Sequence, residues 1–244
     1  MSLQRSHIIE ELEQQILNLQ GLKHKPGADA VKMGWGDLDL AFPGKTFPKA
    51  AIHEFITDGS ESCAATNGFV AGMISVLMKN NGTTFWISSN RSLFPPALKQ
   101  FGIDPERIIF IDLHKPKEVL WVMEEALKCQ GLSAVVGELP ELNFTNSRRL
   151  QLAVEQSRVT GFALRHPNTK INTTASLTRW KIEHLPSLNE DGLPGIGFPQ
   201  WQVDLLKVRN GKPGSWQLSW SAGRFRNRQA GVRKLEKIFK QNVG

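Results

Sequence analysis

Two stretches of the chain contain the small and polar residue types that bind phosphate. The first ends in Gly44-Lys45-Thr46, and in the pattern G-x-x-x-x-G-K-[ST] such a tripeptide lets backbone amides and a lysine hold phosphate oxygens. The first glycine of that pattern would fall at Asp39, no predicted strand leads into it, and Pro48 stands where a helix must begin. We therefore predict a surface turn at this tripeptide.

The second stretch, residues 57–66, follows a predicted strand and opens a predicted helix, as a phosphate-binding loop does. It also has the length of such a loop, but it contains no lysine. Its candidate residues are Asp58, Gly59, Ser60, Glu61, Ser62 and Thr66. The two carboxylates would repel a triphosphate, and Thr66 is expected to cap the helix that follows.

Phosphoryl transfer needs two further acids, one that holds magnesium and one that positions the attacking water. At the strand end where the first acid belongs, the chain has Gly137, with Glu138 one residue late. Where the second acid belongs, the chain has Asn90 and no carboxylate. Because the lysine is also missing, we expect no efficient ATPase, no catalytic residue and no cofactor. Weak binding of Mg-ATP stays open.

Other nucleophiles and metal ligands are sparse. His53 and Cys63 lie near the second stretch, but without a third orienting group they are predicted to be core or turn residues. No set of His, Cys, Asp and Glu residues has metal-ligand spacing. Cys63 and Cys129 are too few for a disulfide framework or a four-ligand zinc site.

Apolar segments of strand length alternate with segments of helical periodicity through most of the chain. The predicted strands are Ala50–Ile56, Thr83–Ser88, Arg107–Asp112, Ser133–Gly137 and Gly161–Arg165. The predicted helices are Asn67–Lys79, Pro95–Phe101, Lys117–Gln130 and Asn146–Ser157. This alternation predicts an α/β fold with a mainly parallel sheet flanked by helices.

The last third of the chain has strand patterns without long helices between them. These strands are Ser176–Glu183, Trp201–Arg209 and Ser215–Ser221, and turn residues 210–214 join the last two. They predict an antiparallel C-terminal hairpin that extends the parallel sheet. Leu185–Pro199, with three prolines and three glycines, is predicted to be a loop.

Composition limits the class of protein. A chain of 244 residues with 40% apolar residues forms one large domain, or one domain with an appendage. Its longest apolar run, Phe69–Met78, is too short for a membrane span, and its first residues lack a secretory pattern. Its two cysteines lead us to expect the reducing cytoplasm.

The N-terminal region has a pattern of its own. Residues 1–30 are predicted to form an amphipathic helix and a linker, ahead of a core domain at residues 31–221. The apolar face of that helix consists of Ile8, Ile9, Leu12, Ile16 and Leu19. We expect this face to dock either on the same chain or on a neighbouring protein.

Residues 222–244 form a basic tail that carries nearly all of the formal net charge of +7. Its basic residues are Arg224, Arg226, Arg228, Arg233, Lys234, Lys237 and Lys240. The tail is predicted to end in a basic helix whose apolar face, with Leu235 and Phe239, fits a partner groove. The basic face would contact DNA or an acidic rim, and a solvated terminus is the alternative.

A series of short segments in a fixed order resembles the ImuA family. The segments are His53-Glu54-Phe55, Phe85-Trp86-Ile87, Phe101–Arg107, Leu120–Cys129, Ala134–Leu139, Ser147–Ala153, Thr160-Gly161, Leu177–Trp180 and Val203–Gly211. The resemblance implies a RecA-like core and a role in error-prone, translesion repair during the bacterial DNA-damage response. It also implies a likeness to SulA, the cell-division inhibitor.

The same resemblance implies partners and contact residues. The partners are an ImuB-type polymerase-like protein, a replicative-type polymerase or sliding clamp reached through it, and RecA. DNA-contacting loops would follow the fourth and fifth strands, at Leu139–Thr145 and His166–Thr174. The basic residues in and beside these loops are Arg148, Arg149, Arg165 and Lys170. For Arg148 and Arg149 a solvated helix face is the alternative, and the seven tryptophans are predicted to pack inside the fold.

The sequence therefore predicts a non-catalytic RecA-like adaptor of damage-induced mutagenesis, located in the cytoplasm at the nucleoid and without a membrane partner. A weak DNA-dependent ATPase and a SulA-like inhibitor that acts by protein contact are the alternatives. Self-association and direct contact with DNA both stay open.

Overall fold

A nine-stranded sheet organises the chain in the computed structural model, which describes residues 31–79, 82–167, 171–188 and 197–227. The strands are β1 (Ile52–Ile56), β2 (Thr83–Ser88), β3 (Ile108–Asp112), β4 (Leu132–Leu139), β5 (Thr160–Arg165), β6 (Thr178–Leu188), β7 (Phe198–Val208), β8 (Gly214–Ser221) and β9 (Arg224–Asn227). Their order across the sheet is β3-β2-β4-β5-β1-β6-β7-β8-β9. Neighbours from β3 to β6 are parallel, and β6 to β9 pair antiparallel.

Three α-helices within the described residues cover the two faces of the sheet. They are α1 (Ser60–Leu77), α2 (Pro116–Leu127) and α3 (Phe144–Ser157). Strand residues such as Trp86, Phe162 and Trp180 pack with α1 on one face, and Val135 and Ala163 pack with α2 and α3 on the other. Both faces of the parallel part are therefore buried, as crossover connections require. The predicted α/β class, with a mainly parallel sheet and antiparallel C-terminal strands, is confirmed.

Shorter 3₁₀ helices complete the described fold. They are Gly36–Ala41, Pro43–Lys45, Pro95–Phe101 and Pro105–Arg107. Residue Lys45 ends one of them and is exposed, so the predicted surface turn at Gly44-Lys45-Thr46 is confirmed. The helix predicted at Pro95–Phe101 is present with the 3₁₀ geometry.

Aromatic side chains join the N-terminal described segment to the distant C-terminal strands. Trp35 stacks on Phe69 of α1, with 6.0 Å between ring centroids, and its edge meets Phe225 of β9 at 5.8 Å. Five of the seven tryptophans are buried, as predicted: Trp35, Trp86, Trp180, Trp201 and Trp220. Trp216 is half-buried. For Trp121 the prediction was wrong, because it points away from the buried face of α2 and is 62% exposed.

Several element boundaries differ from the sequence prediction. α1 begins at Ser60, seven residues before the predicted start. β6 and β7 extend into both ends of the predicted loop Leu185–Pro199. Arg224–Asn227, predicted to belong to the basic tail, pairs with β8 as a ninth strand. The predicted N-terminal helix and basic C-terminal helix lie outside the described residues.

Candidate functional site

The turn between β1 and α1 is shorter than the phosphate-binding loop that the sequence suggested. Because α1 begins at Ser60, Thr57, Asp58 and Gly59 make the whole connection. The expectation of a loop from residue 57 to 66 was therefore wrong. So was the capping role of Thr66, which is buried inside α1 instead of preceding it.

Two backbone amides of this turn, those of Asp58 and Gly59, are already bound within it. Ser62 Oγ accepts hydrogen bonds from the amides of Asp58 (2.8 Å) and Gly59 (3.1 Å). The same hydroxyl lies 3.1 Å from the Gly59 carbonyl oxygen, to which it donates. Anion binding at a helix start depends on free amides, and these two amides are satisfied without a ligand.

The electrostatics of the turn oppose a nucleotide as well. Asp58 in the turn and Glu61 in the first turn of α1 are exposed acids. Lys181 of β6 has its Nζ 2.7 Å from Asp58 Oδ2 and 2.9 Å from Glu183 Oε1. Partial burial would lower the pKa of Lys181, but hydrogen bonds to these two carboxylates raise it. The lysine charge is thus neutralised by the protein's own acids.

The position of the missing magnesium acid has no room for a side chain. Gly137 in β4 faces α2, and a Cβ atom there would lie 2.5 Å from Met123 Sδ, which is buried. An aspartate at this position would have to displace the packed methionine. The glycine is therefore part of the packing between β4 and α2, because protein interiors leave few voids.

Glu138 lies on the α1 face of β4, where its carboxylate accepts hydrogen bonds from buried and half-buried side chains. Its Oε1 accepts hydrogen bonds from Trp86 Nε1 (2.8 Å) and Ser92 Oγ (3.2 Å). Ser92 in turn accepts from Asn67 Nδ2 of α1 at 2.9 Å. Burial raises the pKa of Glu138, against these hydrogen bonds, which lower it. Asn90, at the other acid position, is exposed in the bend after β2.

His53 is a core residue, as predicted, whereas Cys63, predicted to be a core or turn residue, lies half-buried in the first turn of α1. His53 Nε2 donates to the Pro48 carbonyl oxygen at 2.9 Å, and Nδ1 lies 2.7 Å from Thr178 Oγ1. Because Thr178 Oγ1 accepts from Trp180 Nε1 at 2.7 Å, its hydroxyl hydrogen is free to bond His53 Nδ1. Cys63 Sγ contacts Thr57 Oγ1 at 3.3 Å and does not meet His53 within hydrogen-bonding distance.

A buried ion-pair network stands where the two predicted DNA loops meet the sheet. Glu54 of β1 is fully buried, and its two oxygens accept from Arg165 Nη1 (2.8 Å), Arg179 Nε (2.9 Å) and Thr174 Oγ1 (2.7 Å). Arg165 also reaches the carbonyl oxygen of Leu142, and Arg179 donates to that of Asn172. One carboxylate thereby anchors both loop segments.

The structure separates the predicted contact residues into exposed and buried groups. Arg148, Arg149, Arg224 and Arg226 are exposed, and Arg149 pairs with Glu124 of α2 at 2.6 Å. Arg165 is buried, so its predicted place on a DNA-contacting surface was wrong. The physical reason is the ion pair with Glu54, which compensates for the loss of its hydration.

Several predicted contacts lie outside the described residues. They are Lys170, Arg228, Arg233, Lys234, Leu235, Lys237, Phe239 and Lys240, with the N-terminal face of Ile8, Ile9, Leu12, Ile16 and Leu19. Within the described residues, no cluster of His, Cys, Asp and Glu is suited to a metal ion. In the same part of the chain no helix is long and apolar enough to cross a membrane.

Comparison with known proteins supports the family. Protein ImuA of Caulobacter vibrioides (strain NA1000 / CB15N) is 33% identical over 200 residues, which span 77% of this chain and 82% of the relative. The chain belongs to the ImuA family. The resemblance drawn from the short segments is thus confirmed, whereas no family model matches the chain.

The chain also has a weaker similarity to a second protein, the cell division inhibitor SulA. Cell division inhibitor SulA of Yersinia pestis (strain Pestoides F) is 28% identical over 123 residues, which span 50% of this chain and 72% of the relative. The same protein of Yersinia pseudotuberculosis serotype O:1b (strain IP 31758) matches to the same extent.

Proposed function

We propose that this ImuA-family chain is a non-catalytic RecA-like adaptor of damage-induced mutagenesis. It recruits or organises an ImuB-type polymerase-like protein at damaged DNA, and a replicative-type polymerase or sliding clamp joins through that partner. Family membership and the similarity to SulA support a role in the response to DNA damage. The observation that carries the non-catalytic part is the short β1–α1 turn, which has no lysine and in which Ser62 Oγ binds the amides of Asp58 and Gly59.

Two further features support the absence of catalysis. The position of the magnesium acid is a glycine packed on Met123, and Glu138 is held in the core by Trp86 and Ser92. A DNA-dependent ATPase would have to rebuild all three parts of the site. Weak binding of Mg-ATP is the residual activity that this proposal allows.

Affinity purification of the tagged chain from DNA-damaged cells tests the adaptor role. We expect recovery of a polymerase-like protein, and we expect Leu235→Asp plus Phe239→Asp in the tail to abolish it. Gln229→Asp plus Gln241→Asp adds the same charge to the tail outside that apolar face and serves as the matched control. Recovery of no polymerase-like protein with the unaltered chain would refute the adaptor role.

The SulA similarity supports one alternative, inhibition of cell division by protein contact. Overproduction of the chain in undamaged cells distinguishes it, because a division inhibitor makes cells grow as filaments. Filamentation together with an unchanged damage-induced mutation frequency in a deletion strain would favour this alternative over the adaptor.

A further inference from the structure

The β8–β9 hairpin forms one edge of the sheet. β9 is the last strand in the order, and within the described residues no strand pairs with its outer side. Ala222 and Gly223 make the two-residue turn, with φ angles of 50° and 70°, as a type I′ turn requires. An edge strand presents unpaired backbone donors and acceptors, to which a further strand can add.

The register of the hairpin determines which backbone groups point outward. Hydrogen-bonded and non-hydrogen-bonded pairs alternate along an antiparallel ladder. Ser221 and Arg224 close the turn, so this pair exchanges hydrogen bonds. The next pair, Trp220 and Phe225, then does not. The amide and carbonyl groups of Phe225, and of Asn227 two residues on, therefore point away from β8, towards an incoming strand.

Two arginines project from one face of this edge. Arg224 and Arg226 are both exposed, and the alternation along a strand places their side chains together on the face opposite Phe225. Phe225 is buried and meets Trp35, with 5.8 Å between the ring centroids. The aromatic core thus occupies one face of β9, and the two guanidinium groups occupy the other.

Uncharged side chains neighbour the two arginines in the ladder. Ser221 lies opposite Arg224 and Ser219 opposite Arg226, and Gln200 of β7 follows Ser219 in the next strand. Neither arginine forms an ion pair with a carboxylate of the described residues. Because opposite charges across a ladder stabilise pairing and like charges oppose it, this edge excludes a basic strand and selects an acidic one.

We propose that β9 binds an extended acidic segment of a partner protein as an additional strand. The main-chain groups of Phe225 and Asn227 bond the segment, and two acids spaced two residues apart in it pair with Arg224 and Arg226. A nucleic acid offers anions to the arginines but no main-chain donors and acceptors in strand spacing, so the edge fits a peptide better. This surface is separate from the apolar face of the tail, and it does not rest on the adaptor function.

Fluorescence anisotropy of a labelled peptide of alternating Glu and Thr, with the full chain at low salt, tests the site. We expect binding, and about tenfold weaker binding by Arg224→Gln plus Arg226→Gln, the effect of two exposed ion pairs. Lys117→Gln plus Arg158→Gln removes the same charge at exposed positions in α2 and after α3, and should bind like the unaltered chain. A peptide of repeated Glu-Glu-Thr-Thr has the same charge but no acids two residues apart, and should bind more weakly.

Backbone methylation of the alternating peptide separates strand addition from charge attraction alone. In the added strand the Thr residues lie opposite Phe225 and Asn227, so N-methyl groups on Thr remove the donors that bond β9. N-methyl groups on Glu point away from β9 and are the matched control. We expect Thr methylation to abolish binding and Glu methylation to retain it. Amide hydrogen exchange at Phe225 and Asn227 should slow when the unmethylated peptide binds.

The proposal is overturned if the unaltered chain does not bind the alternating peptide, or if the Thr-methylated and Glu-methylated peptides bind equally. Binding of labelled oligo(dT) that needs Arg224 and Arg226, without binding of the peptide, overturns it in favour of a nucleic-acid contact. If urea unfolding shows that the arginine variant is not folded, the methylated peptides with the unaltered chain decide. The adaptor function survives each of these failures, because its own test is the recovery of a polymerase-like protein from damaged cells.

Discussion

His53 is held neutral by its surroundings, and this makes the folded chain sensitive to acid. Burial lowers the pKa of His53 from 6.5 to about 3, although the hydrogen bond to Pro48 acts against the shift. The unfolded chain therefore binds the proton more readily, and the contribution of His53 to stability is present above pH 6.5 and lost as the pH falls towards 3. Each pH unit in that window is worth about 1.4 kcal/mol.

We therefore expect the unfolding free energy to decrease by about 2 kcal/mol between pH 6.5 and 5 through this group alone. Urea unfolding of the unaltered chain and of His53→Gln at both pH values isolates the contribution of His53 to the unfolding free energy. The variant should be less stable at pH 6.5 and should lose less stability on acidification. An equal loss in both proteins would show that His53 does not titrate in this range.

Gly137 gives a second prediction for a single residue. Gly137→Asp restores the acid that a RecA-type ATPase requires, but its Cβ would lie 2.5 Å from Met123 Sδ. We expect the unfolding free energy to decrease by about 1–3 kcal/mol through overpacking, and more through the buried charge. Asn90→Asp, at an exposed position, should leave stability unchanged. A stable Gly137→Asp protein that releases phosphate from Mg-ATP would contradict the packing argument.

At the scale of secondary-structure elements, the β1–α1 turn depends on one hydroxyl. Ser62→Ala removes the acceptor for the amides of Asp58 and Gly59, so we expect the unfolding free energy to decrease by about 1 kcal/mol. Ser60→Ala, exposed in the same turn of α1, is the control. Calorimetry should detect no gain of Mg-ATP binding, because Asp58 and Glu61 remain. Tight binding by the variant would show that Ser62 alone had blocked a working site.

Glu54 of β1 binds side chains from β5, from β6 and from the segment between them. Glu54→Gln leaves Arg165 buried without its full counter-charge, and breaking a buried pair in this way costs about 3–5 kcal/mol. Glu183→Gln, which breaks a more exposed pair with Lys181, should cost less than about 1 kcal/mol. Urea unfolding of the two variants measures the contrast. Equal effects would mean that the network does not anchor the loops.

Elements with strong periodicity could be predicted from the sequence, and the remainder depended on tertiary contacts. The strands at Thr83–Ser88 and Arg107–Asp112 agree within one residue because continuous apolar runs define them. The start of α1 was missed because residues 60–66 are small and polar, although Ser62 three residues after Gly59 is a usable N-terminal signal.

The candidate sites were only partly accessible from the sequence. The loss of nucleotide chemistry followed from residue types alone, at Gly137 and in the lysine-free turn. The role of Glu54 could not be predicted, because its partners Arg165 and Arg179 lie 111 and 125 residues away.

At the scale of the whole molecule, β9 determines how much of the C-terminal tail can be removed without loss of stability. Phe225 is buried, and its ring centroid lies 4.9 Å from that of Trp220. Truncation at Ala222 removes this strand and should cost about 3–5 kcal/mol, as deletion of a core phenylalanine does. Truncation after Asn227 retains all nine described strands and should unfold like the full chain. Equal stability of the two truncated proteins would show that β9 does not contribute to the core.

Damage-induced mutation frequency tests the central claim, that the chain acts in the damage response without turning over ATP. The measurement compares cells that carry the unaltered chain, a deletion, or Glu138→Gln, which retains acceptors for Trp86 and Ser92. We expect the deletion to lower the induced frequency and Glu138→Gln, at equal protein level, to restore it fully. A deletion without effect would contradict the role in damage-induced mutagenesis, and a Glu138→Gln strain as deficient as the deletion would contradict the non-catalytic mechanism.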